Sequence, residues 1–337
     1  MLPPYGPSAV VTQWQFAPIV TVVVVVLAGL YGWGVVRVAR RHPARPWPRW
    51  RTGLFGGGLL VIVVATQSGI GAYDDLLFYD HMIQHLLLLM VAPPLLIAGQ
   101  PLTLLLHASR NPLHTWAKRV IRSRVASFLT WPVFGALAYA LAVPAAHLTA
   151  IATYVEQNQT AHGAEHALFV IIGYLFYLPI LGTEPIRWRL SYPVRFVLLL
   201  LLMPIDTFTG VALGYGSASS PGVPSGPRPA WAPSPVTDLH TGGAVMWVGG
   251  DGIMLALMMV VFLMWARDER AATSGRSFFE RARRENLATL LSSAGPAGAD
   301  DASPLSAADS HSIDDDAHLA AYNAYLARLN RQRDSAG

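Results

Sequence analysis

The chain has 337 residues, 53% of them hydrophobic and only 13% charged, and its mean hydropathy of +0.39 exceeds what a soluble domain of this length needs. The formal charge of +4 sits in short basic clusters between apolar runs, a pattern of membrane topology that argues against nucleic acid as partner and for the lipid bilayer. The absence of cysteine excludes disulfides, thiolate metal sites and cysteine nucleophiles, so any metal must be held by His, Met, carboxylate or backbone oxygen.

A bilayer core asks for about 20 mostly apolar residues per helix, and seven such stretches are predicted near 17–38, 53–72, 80–106, 126–147, 162–182, 192–215 and 241–266. The first loop carries Arg37, Arg40, Arg41, Arg45, Arg49 and Arg51, whereas the second holds Asp74, Asp75 and Asp80 without Lys or Arg. The third is basic again and the fifth has Arg187 and Arg189. This alternation predicts an all-α seven-helix bundle with its amino terminus outside and its carboxyl terminus cytoplasmic, in a bacterial cell membrane. The first 16 residues lack a basic n-region, which argues against a cleaved signal peptide. The expected division is a transmembrane domain over 1–266 and a polar cytoplasmic tail over 267–337. In that tail Leu319, Tyr322, Leu326 and Leu329 recur at helical spacing within 317–330, fitting a weak amphipathic helix or a docking helix. The proline-rich sixth loop, 216–239, is placed to act as a lid over the outer face.

Asp80-His81-Met82-Ile83-Gln84-His85 opens the third span, and four residues turn a helix by about 400°, so His81 and His85 share one face. The fifth span opens with His162-Gly163-Ala164-Glu165-His166, again an i, i+4 pair, with Glu165 able to reach the same region. The two pairs match in depth, the second histidine of each lying roughly 6 Å below the first. His240 opens the seventh span at the same face and His147 closes the fourth, where a lone interfacial histidine is the simpler reading. Several imidazoles near lipid are costly unless they bind something or join a polar network, which leaves a metal, a haem, or a structural or proton-relay role. With Met82 and Met246 nearby, copper suits the set best and zinc is the alternative, although either methionine also fits ordinary packing.

Asp206 and Asp251 are carboxylates inside predicted spans, and such groups are functional candidates. Asp206 is expected in the outer third as an acceptor for a ligand imidazole; Asp251 lies deeper, either functional or hydrogen-bonded to a neighbouring helix. Pro93-Pro94 predicts a kink, and Gly242-Gly243 and Gly249-Gly250 predict close helix contact. No Ser/His/Asp spacing or phosphate-cradling loop stands out, so no catalysis is expected.

His81-Met82-Ile83-Gln84-His85-Leu86-Leu87-Leu88, followed by Ala92-Pro93-Pro94-Leu95-Leu96 and Gly99-Gln100-Pro101, resembles the signature of the CtaG family of cytochrome c oxidase (caa-type) assembly factors. The resemblance continues through Glu165-His166-Ala167-Leu168-Phe169 and through Asp238, Gly242-Gly243 and Met246-Trp247 to the tail around Tyr322. It implies a polytopic protein needed to make an active terminal oxidase, with oxidase subunits as partners and copper handling suspected. The family's histidines map to His81, His85 and His166, and less securely to His162; His240 stands where a glutamine-containing motif is expected. Three functions compete: a non-enzymatic copper-holding assembly factor, a redox protein ligating haem b through His85 and His166, and a copper or proton transporter using Asp206 and Asp251.

Overall fold

A computed structural model describes residues 2–217, 219–223 and 227–293, with side chains described up to 271 and at 273. The predicted tail helix at 317–330 lies outside the described residues. Contacts divide the chain into two compact units, 1–262 and 263–337; of the second, the described backbone is helical to Ser293.

The described residues form helices without strands. A short helix α1 (Pro7–Thr12) precedes α2 (Pro18–Arg41) and α3 (Arg49–Gln67), with α4 (Gly69–Tyr73) continuing α3 after a break at Ser68. Six helical stretches are long and apolar enough to cross a bilayer: Pro18–Arg41, Arg49–Tyr73, Phe78–Ala108, Gln159–Leu181, Tyr192–Gly214 and Pro235–Ala271. They make the chain a multi-pass membrane protein. The predicted fourth span differs from expectation. Its start falls in a separate helix α9 (Arg124–Leu129), and Pro132 begins α10 (Pro132–Leu148), because a proline lacks the N–H that an ongoing helix would need. α10 meets α11 (Ala150–Glu156) at a 70° bend, and the pair counts as a seventh span only if taken together.

The third span is not one continuous α-helix. α5 (Phe78–Leu86) runs into a π-helical turn, Leu87–Val91, and then α6 (Ala92–Ala98). The wide turn precedes Pro93-Pro94 and takes up the missing donors there. Gln100 then adopts a left-handed conformation at φ 54°, and Pro101 starts α7 (Pro101–Ala108). Glu184, after α12 (Gln159–Leu181), caps α7 by accepting from Leu102 N and Thr103 N at 2.9 Å each. Arg41 donates to the Ala108 carbonyl at 2.7 Å, so the basic residues near α2 and α7 gather at the end of the bundle opposite the start of α12.

α14 (Pro235–Ala244) packs on α13 (Tyr192–Gly214) through bare backbone. A Cβ at Gly243 would come 2.5 Å from the Gly210 carbonyl oxygen, and one at Gly210 would come 2.6 Å from that of Gly243. Such contact is how small residues bring membrane helices together. Gly243→Ala is therefore expected to cost about 1–3 kcal/mol through overpacking. Gly29→Ala, where a Cβ meets nothing within 4 Å, should leave the thermal melt of detergent-solubilised protein unchanged or raised.

Candidate metal centre

Three helices deliver the histidines of the site. α12 starts where the Asn158 side chain accepts from Thr160 N and Ala161 N, which sets His162, Glu165 and His166 in its first two turns. α5 has no cap of its own. Its first amides, Phe78 N and Tyr79 N, are accepted by the Asp238 carboxylate of α14 at 3.0 and 3.1 Å, and Arg228 of the sixth loop closes a 2.6 Å ion pair on the same carboxylate. α10 brings His147 on its last turn.

The two predicted pairs face each other. Ring centroids lie 4.0 Å apart for His81 and His85, 4.4 Å for His162 and His166, 5.1 Å for His81 and His162, and 6.1 Å for His85 and His166. The rungs match in depth as the shared helical spacing predicts. His85 and Glu165 are both buried, with Nε2 and Oε2 3.4 Å apart.

His147, read from the sequence as an interfacial residue, belongs to the cluster. It is 3% exposed, its Nδ1 lies 2.7 Å from the Val143 carbonyl, and its Nε2 lies 2.9 Å from His85 Nδ1. A carbonyl only accepts, so Nδ1 of His147 carries the proton and Nε2 the lone pair. His85 Nδ1 then donates to it, which leaves the lone pair of neutral His85 on Nε2, facing Glu165.

Asp74 and Asp75 entered the sequence reading only as topology signals, yet both line the site. Gln84 holds Asp74 by donating to its Oδ2 at 2.8 Å and to the Ala65 carbonyl at 2.9 Å. Burial pushes the Asp74 carboxyl up to about 7, against the pull of nearby His162. Asp75 sits at the exposed mouth, 3.3 Å from His162 Nδ1, and that imidazole holds its carboxyl below the usual range.

Other candidates lie elsewhere. His240 is exposed and pairs with the Gly216 carbonyl at 3.1 Å, so the structure does not bring it to the cluster. Asp206 is a correction. It accepts from Tyr139 at 2.8 Å instead of from an imidazole, because α10 presents Tyr139 to it two turns before His147. Asp251 accepts from Thr207 of the neighbouring helix at 2.9 and 3.1 Å, which bears out the hydrogen-bonded alternative. Met82 and Met246 are buried in the apolar core.

Four buried acceptor-capable atoms here have no hydrogen-bond partner: Nε2 of His85, His162 and His166, and Oε2 of Glu165. Leaving such a group unsatisfied costs roughly 1–3 kcal/mol, and several converging on one spot suit a bound cation. Ligand atoms lie within 4.8 Å of one another in three groupings: His81/His85/His147, Asp74/His162/His166, and His81/His162/Glu165. Asp74, His81, His147, His162 and Glu165 of these groupings line a cavity of about 30 Å³, room for a water or an ion. Gly222 of the sixth loop reaches its wall, at φ +75°, where a Cβ would sit 3.0 Å from Ala152 Cβ. The proline-rich loop thus covers part of the mouth.

The sequence profile of the cytochrome c oxidase caa3 assembly factor family matches residues 29–268, which include every residue of the cluster. The chain belongs to this family. Within it, the site lies where the His81–His85 and Glu165–His166 motifs meet. An uncharacterised protein of Mycobacterium bovis is 29% identical over 340 residues, covering 97% of this chain and 46% of the relative. One of Mycobacterium leprae is 30% identical over 331 residues, covering 96% and 45%. The chain spans just under half the length of these curated relatives. No solved structure matches it.

Proposed function

We propose that this chain is a non-enzymatic cytochrome c oxidase assembly factor that holds copper at the outer face of a bacterial cell membrane and passes it to an oxidase subunit. The observation that carries the metal half is the convergence of five imidazoles and the Asp74 and Glu165 carboxylates into three groupings whose ligand atoms lie within 4.8 Å of one another. The residues fit the ion: imidazole suits copper, and the Asp75–His162 contact at the mouth and the buried Val143–His147–His85 contacts orient ligand rings as outer hydrogen bonds do in metal sites. Family membership supports the oxidase half. Seven spans with the amino terminus outside follow from the basic loops, and put the cluster on the outer side.

A cavity of about 30 Å³ admits an ion and not a macrocycle, which weighs against haem b. All three ligand groupings among the described residues lie in this one cluster, which favours holding over transport across the bilayer.

Metal content by mass spectrometry of copper-loaded, detergent-purified protein is the test. Wild type should carry stoichiometric copper, and the variant with His81, His85, His162 and His166 changed to alanine should carry none. A strain lacking the protein should make oxidase deficient in copper and activity; normal oxidase copper there would end the delivery reading.

A further inference from the structure

Resting on the copper reading, we infer that the cluster comprises two coordination sets joined by a hand-over position. The rim set is Asp74, His162 and His166; the inner set is His81, His85 and His147. They share no residue, and in each the ligand atoms lie within 4.8 Å of one another. The third grouping, His81, His162 and Glu165, takes one imidazole from each set and adds the carboxylate between them. An ion can therefore move from rim to inner set without losing all its ligands.

The two sets differ in readiness. In the rim set, Nε2 of His162 and of His166 have no hydrogen-bond partner, and His162 is 6% exposed. Its other nitrogen is engaged by Asp75 at the exposed mouth, so the free lone pair points inward. The inner set is closed by its own hydrogen bond, His85 Nδ1 to His147 Nε2 at 2.9 Å. Opening it requires the His85 proton to leave Nδ1. Glu165 Oε2, without a donor of its own and 3.4 Å from His85 Nε2, is the acceptor that makes this possible. When the proton shifts from Nδ1 to Nε2, it is donated to Glu165, and the lone pairs of His85 Nδ1 and His147 Nε2 both become available to the ion. No proton is gained or lost. Glu165 thus serves twice, as a ligand in transit and then as the hydrogen-bond acceptor that locks His85 in its metal-binding tautomer.

The rim set is the one an ion arriving from solution meets first, because its His162 contacts Asp75 at the exposed mouth. In the inner set His85 and His147 are 4% and 3% exposed, and Phe169 lies 4.5 Å from the His85 ring, so these two ligands are shielded from water.

The test is an anaerobic titration of the full chain in detergent with cuprous ion, competed against a coloured chelator. Wild type should bind two ions per chain in two resolved steps. Asp74→Asn with His166→Gln should bind one, and His81→Gln with His147→Gln should bind one. Glu165→Leu should take the second ion at least about 10-fold more weakly than wild type, the scale of losing an outer partner. One ion in wild type, abolished by both double variants, would overturn the two-set arrangement and leave the copper reading standing. No ion in wild type would overturn both. The wild-type stoichiometry decides between these outcomes even if a variant fails to fold.

Discussion

Asp238→Ala is expected to lower the stability of the bundle by about 3–5 kcal/mol, as does breaking a buried ion pair from one side. The Asp238 carboxylate is fully buried and accepts from two backbone amides of α5 as well as from Arg228. Its removal leaves the Phe78 and Tyr79 amides without this acceptor and takes from the part-buried Arg228 its counter-ion. The thermal midpoint in detergent should fall by on the order of 10 °C. Asp238→Asn keeps an oxygen acceptor and loses only the charge, so its fall should be smaller. Because this carboxylate caps the helix that carries His81 and His85, copper affinity should weaken alongside stability. A midpoint within about 2 °C of wild type in the alanine variant would remove Asp238 from this role.

His85→Ala is expected to reduce cuprous affinity by about 100-fold or more, the upper end of what loss of a mere orienting partner produces. His85 is the residue on which the site's contacts converge: 2.9 Å from His147, 3.4 Å from Glu165, and 4.0 Å between ring centroids to His81. His240→Ala serves as the paired control. Its imidazole is exposed and bonded to the Gly216 carbonyl, so affinity should stay within about twofold of wild type, under the 1.4 kcal/mol that a factor of ten represents. Equal losses in both variants, read by chelator competition, would mean that the ligand set is drawn wrongly.

The apolar runs alone gave the helical class and most span limits, because burial in lipid demands a run length that local composition records. The paired imidazoles were legible for the same reason: an i, i+4 spacing places both rings on one face whatever the helix packs against. His147 was harder. One histidine at a helix end carries no periodic signal, and only the approach of α10 to α5 turns it into the partner of His85. Asp74, Asp75 and Gln84 were visible as a charge pattern and a motif letter, but their roles depend on the turn between α4 and α5 folding back beside His162. Asp206 illustrates the converse. Its depth suggested the histidines, yet the helix facing it offers Tyr139 at hydrogen-bond distance.

The sequence by itself determined that this is a multi-pass helical membrane protein with two histidine pairs at matching depth, since those features follow from hydrophobic run length and helical periodicity. Which groups share the site was decided only by tertiary structure. Asp238 caps a helix 160 residues away in sequence, and His85 meets His147 across 62. Contacts of that separation depend on how helices cross, and helix crossing is set by bare glycine backbone and packed side chains whose partners no local pattern names.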